Sequence, residues 1–222
     1  MILCVIKTFK KLFTLILSFG LLGFISACKP KDQTDCGFVQ NVYGQRISWK
    51  SKLPVAVLIS GTIPAELKSA IYRAASTWEN KLGQKAFVFN EENLQQKSLP
   101  GRDKKNGIYF LTNWESDKKS EQGRTSVYWA GDEIQEADIR LNAQDFAYYN
   151  ANPQVLVRSG INSQKTDAGY GFEALMLHEM GHFLGLKHRE DQGSVMATYL
   201  AAFSERNVLS SVDTNNVKCE YK

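Results

Sequence analysis

The sequence predicts a mixed α/β (α+β) single domain behind a cleavable leader. Three observations predict it. Short β-rich runs recur between residues 53 and 142, two long stretches repeat apolar residues at helical spacing, and an apolar N-terminal segment stands apart from the rest. The order is strand, helix, several strands, helix, loop, helix, with no internal repeat and no low-complexity block. A composition of 43% hydrophobic, 11% aromatic and 23% charged residues suits a globular chain with a sizeable core.

Residues 1–27 read as an export signal. Lys7, Lys10 and Lys11 form a positive start, and "LFTLILSFGLLGFI", residues 12–25, is an apolar run shorter than the roughly 20 residues a membrane span needs. Ser26, Ala27 and Cys28 follow. The segment "ISAC" resembles the lipobox of bacterial lipoproteins, which implies that Cys28 is acylated and becomes the mature N-terminus, held in a membrane by its lipid. Lys29, where an inner-membrane lipoprotein carries Asp, implies the outer membrane, facing periplasm or exterior. A plain secretory signal or a retained membrane helix are the alternatives. Loss of the leader takes three lysines and leaves 24 bases against 23 acids, so nothing basic remains at the domain scale to attract nucleic acid.

Residues 28–46 read as a polar tether and 47–222 as the domain. "LPVAVLIS", 53–60, is an apolar, β-rich run and predicts a buried strand. Over 63–83, Leu67, Ala70, Ile71, Ala74, Ala75 and Trp78 recur at helical spacing, Pro64 opens the helix and Gly83 stops it. "KAFVFN" (85–90) and "GIYFLTN" (107–113) read as strands around a polar loop, and 114–124 as a charged surface loop. "TSVYWAG" (125–131) and "EADIRLN" (136–142) are two more short strands. A long connection spans 143–170, an apolar helix spans 171–185, and a final helix is expected over 203–218 with Ser204 as its cap.

The apolar helix carries the chemistry. "HEMGHFLGLKH", residues 178–188, contains all three histidines of the chain. His178 and His182 stand four positions apart, so their imidazoles project from one helix face, and Glu179 leans over the same place. Gly185 permits a sharp turn that returns His188 as a third ligand. Three neutral imidazoles leave one tetrahedral zinc position open for water, the mark of a catalytic rather than a structural zinc. A chance match to five specified positions is on the order of one in a million per start site. The ordinary alternative, a packed core histidine, does not account for the full spacing.

With His178, Glu179, His182, Gly185 and His188, the sequence resembles the metzincin zinc endopeptidases. Met196, in "GSVMATY" eight residues after His188, is similar to the methionine turn of the matrixin-type members. The resemblance implies a twisted, mostly parallel sheet with an antiparallel edge strand, two long helices and a C-terminal helix. It also implies one catalytic Zn2+ on His178, His182 and His188, Glu179 as general base, and a protein or peptide substrate pairing along an edge strand corresponding to "TSVYWAG". The chain departs from matrixins in three ways. It has no histidines to spare for a second zinc, no visible pro-segment with a switch cysteine, and no proline shortly after Met196. Tyr199 either shapes the specificity pocket or packs.

Cys4 leaves with the leader and Cys28 carries lipid, so Cys36 and Cys219 remain in an oxidising compartment. A bridge between them is the preferred reading. Two free thiols are the bland alternative, and Cys36 as an inhibitory thiolate on the metal is a third. Function is therefore expected to be peptide-bond hydrolysis by a lipid-anchored enzyme of the cell envelope. The rivals are a zinc-stabilised binding or structural lipoprotein, against which Glu179 argues, and a zinc amidase acting on the cell wall. Oligomeric state is not legible.

Overall fold

A computed structural model describes residues 32–93, 95 and 98–221. The signal peptide and Cys28 lie outside the described residues. The sheet order is β2-β1-β3-β5-β4, built from β1 (Val55–Ile59), β2 (Phe87–Glu91), β3 (Gly107–Leu111), β4 (Gly123–Ala130) and β5 (Glu133–Asn142). All neighbours are parallel except β4, which runs antiparallel to β5 as the edge strand. The two are joined by a tight turn at Gly131, whose φ of 63° suits glycine.

Helix α1 (Ala65–Leu82) buries Leu67, Ala70, Ile71, Ala74, Ala75 and Trp78, the stripe its sequence spacing predicts. Gly83 ends it in the left-handed conformation, donating to Glu79 O. The apolar face packs on helix α2 (Phe172–Phe183), where the Trp78 indole donates to Leu177 O at 3.0 Å. α2 is buried on nearly every side, consistent with its apolar sequence.

Four stretches differ from expectation. The connection 143–170 is not structureless. It contains β6 (Ala147–Tyr149), β7 (Leu156–Val157) and, at its end, β8 (Gly169–Gly171), a small sheet ordered β7-β6-β8. The edge strand β4 begins at Gly123, two residues inside the expected charged loop. The C-terminal helix, α3 (Ser211–Glu220), starts well after residue 203. Phe203 is instead engaged with the small sheet, its N–H on Gly169 O at 2.8 Å and its ring stacked on Tyr149. Ser210, not Ser204, is the cap: its hydroxyl accepts from Asp213 N, and the Asp213 carboxylate accepts from Ser210 N.

Residues 32–46, expected as a tether, lie against the domain. Phe38 is fully buried and bridges Leu186. Cys36 and Cys219 form a disulfide with Cα atoms 6.2 Å apart, which leaves no Cys36 thiolate for a metal.

Candidate metal centre and substrate cleft

The three histidines come together as their spacing predicts. His178 and His182 stand one turn apart on α2. The helix then ends in a Schellman motif, with Gly185 N donating to His182 O (2.9 Å) and Leu186 N to Gly181 O (3.0 Å). Gly185 has φ 104°, and a β-carbon on it would lie 2.3 Å from Ile47 O, so only glycine makes this turn. The turn delivers His188. Nε2 of His178 lies 3.0 Å from Nε2 of His182 and 3.2 Å from Nε2 of His188.

The donor chemistry fits zinc. Nδ1 of His178 faces Val195 O and Nδ1 of His182 faces Leu186 O, each at 2.7 Å. A carbonyl can only accept, so both Nδ1 atoms carry the proton and both Nε2 atoms are bare. Two lone pairs 3.0 Å apart repel unless a cation lies between them. A tetrahedral zinc with Zn–N of about 2.0–2.1 Å sets its ligand nitrogens about 3.3 Å apart, close to the spacing present. Burial lowers the pKa of His178 to about 3 and of His182 to about 4, and lowers that of His188, so the imidazoles are neutral, the form that ligates.

Glu179 sits between α2 and the edge strand. It is 3% exposed, and Thr125 Oγ1 donates to its Oε2 at 2.7 Å. Burial raises its pKa to about 7. Among the described residues no cation pairs with it within salt-bridge distance. Gly123 makes the approach possible, since a β-carbon there would meet Glu179 Oε1 at 2.8 Å. Gly123 and Thr125 are the site residues that sequence reasoning missed. Their role arises from cross-strand proximity, which local pattern does not report.

Met196 is buried against α2. Its sulfur occupies the space that a β-carbon on Gly181 would fill, 2.2 Å from that position. The turn around it is held by Asp213 of α3, another residue that sequence reasoning overlooked. Asp213 accepts from Val195 N at 3.1 Å and from the Ser194 hydroxyl, while Ser194 Oγ accepts from Met196 N at 3.0 Å. Since Val195 O orients the His178 ring, the C-terminal helix reaches the metal centre through two hydrogen bonds.

The three histidines, Glu179, Gly123 and Thr125 line one cleft of about 830 Å³, bounded by β4, α2 and the segment after Met196. Tyr199 stands on its wall, 67% exposed, so it does not pack in the core. Gln122 and Leu200 also line the cleft, with Gln122 Nε2 donating to Leu200 O at 3.0 Å.

A parallel sheet with one antiparallel edge strand, a helix carrying two of three clustered histidines, a glycine turn supplying the third and a methionine packed on that helix define a metzincin-type zinc hydrolase. The family model described as matrixin, peptidase M10, matches residues 58–222, about three quarters of the chain, and the chain belongs to that family. It is a zinc metalloendopeptidase, with His178, His182 and His188 able to hold the ion. No curated protein shows significant similarity to it.

Proposed function

We propose that the mature chain is a lipid-anchored endopeptidase of the bacterial envelope in which Glu179 is the general base for peptide-bond hydrolysis. One observation carries the reading of Glu179: a buried carboxylate with no cation partner among the described residues lies on the cleft wall, one residue from His178 and beside the edge strand β4. A zinc ion on His178, His182 and His188 supplies Lewis-acid chemistry, acidifying water and polarising a carbonyl.

The remaining work falls to the chain's own residues. Thr125 holds Oε2 of Glu179 and fixes the carboxylate's orientation. Glu179 takes a proton from the attacking water and later returns it to the leaving amine. The outer edge of β4, unpaired on the cleft side, offers backbone N–H and C=O groups to an extended peptide. The positive, apolar leader ending in Ser26-Ala27-Cys28 supports anchoring through Cys28, and Lys29 supports the outer membrane.

Two variants separate ligation from proton transfer. His182→Ala should lose both zinc and activity. Glu179→Gln should keep close to one zinc per chain and lose at least the ~10²–10⁴-fold that general acid–base catalysis contributes. Zinc is read by mass spectrometry of the metal and activity by cuts in a peptide library. A Gln variant as active as the parent removes Glu179 from the mechanism.

A further inference from the structure

Residues 35–50 precede the family-matched region, yet through Val39 they reach the cleft. This strap is fastened at three places. At α3, the Cys36–Cys219 disulfide is joined by Glu220, which pairs with Arg46 Nε (2.6 Å) and Lys50 Nζ (2.9 Å). At the third-histidine turn, Val39 N donates to Gly185 O (2.9 Å) and Lys187 N to Gly37 O (2.8 Å). At the tip of the β4–β5 hairpin, Asn41 Nδ2 donates to Gly131 O (3.0 Å) and Ile134 N to Ser48 O (2.8 Å). The strap therefore spans from the turn that carries His188 to the end of the edge strand.

Where it crosses the cleft it presents Val39. That side chain is 40% exposed although its backbone is fully engaged, and Trp129 on β4 is 48% exposed. Val127 and the buried Leu186 line the same cleft. Along β4 the cleft-facing residues alternate: Thr125 at Glu179, then Val127, then Trp129. At about 3.3 Å per residue, Trp129 lies roughly 13 Å along the strand from Thr125, about four residues of an extended peptide.

We propose that the strap makes a subsite for an apolar side chain of the peptide substrate, through Val39, Val127 and Trp129, two to four residues from the scissile bond. The proposal rests on the endopeptidase reading above. It gives the N-terminal segment a role in substrate selection that residues 58–222 alone cannot supply.

The test uses the zinc-loaded mature chain and matched peptides with Leu or Asp at the position in question. The parent should prefer Leu in kcat/KM by at least about 10-fold, the low end of what even one methylene is worth in a hydrophobic pocket. Val39→Asp should shrink the preference to less than about 3-fold, with zinc content and Tm kept. Trp129→Ala should shrink it as well, and serves if Val39→Asp does not fold. Val42→Asp, on the same strap but 92% exposed and off the cleft, should leave it intact. A parent without the preference, or a Val39→Asp protein that retains it, overturns the subsite while leaving the hydrolase standing. A zinc-loaded parent that cuts no peptide overturns both.

Discussion

Replacing Cys36 and Cys219 together by Ser tests how much of the stability resides in the covalent closure. The two cysteines are separated by 183 residues, so the bridge closes a loop containing nearly the whole domain. On the chain-entropy model, closing a loop of that length stabilises by about 5 kcal/mol, almost all of it by restricting the unfolded chain. The native state should change little. Cys36 and Cys219 are only partly buried, and the strap keeps its own bonds to Gly185 and Lys187 and its buried Phe38. For a domain of this size about 1 kcal/mol moves Tm by roughly 2–4 °C, so the double variant should melt about 10–20 °C lower. Differential scanning calorimetry of zinc-loaded parent and variant, without reductant, measures it. Zinc content and peptide cleavage at 25 °C should be close to parental. A Tm within about 4 °C of the parent would refute the loop-closure argument. A variant that has lost its zinc at 25 °C would show instead that the bridge shapes the native metal centre.

Two further outcomes follow from residues outside the motif. Asp213→Ala removes a fully buried acceptor, leaves Val195 N and Ser210 N without it and unties the cap of α3; it should cost about 3–5 kcal/mol in chemical denaturation. Zinc should also bind more weakly, by about 10–100-fold, because Val195 O no longer holds the His178 ring firmly. Unchanged metal affinity, measured by chelator competition, would disconnect α3 from the site. For the anchor, Cys28→Ser should move the protein from the detergent phase to the aqueous phase or stall it as the uncut precursor; unchanged partitioning and size would exclude acylation at Cys28.

Much of the site was legible because metal ligation is a local geometric demand. Residues four apart on a helix share a face whatever surrounds them, so His178 and His182 announce the site, and Gly185 marks the turn that brings His188. The stripe from Leu67 to Trp78 was legible for the same reason: its period is a property of the helix itself. Parallel pairing was expected from family resemblance rather than from spacing, since strand runs do not state their neighbours.

Where distant segments meet, local pattern was silent or misled. Ser204 and Ser210 both look like caps in sequence. Contacts of Phe203 with the small sheet and of Arg206 with Ala197 O hold 203–206 out of the helix, and the Ser210–Asp213 pair starts it instead. Gly123 reads as a loop glycine until β4 pairs with β5 and brings it against Glu179. Residues 32–46 read as a tether because their polar composition hides Phe38, whose burial depends on a groove made by Leu186 and Tyr221. By itself the sequence determined which three histidines could hold a metal and the helix that bears two of them, since i, i+4 spacing and a glycine turn obey short-range geometry. Only the tertiary structure decided what encloses them — the edge strand over Glu179, the aspartate behind His178 and the strap across the cleft — because each depends on contacts between residues tens of positions apart or more.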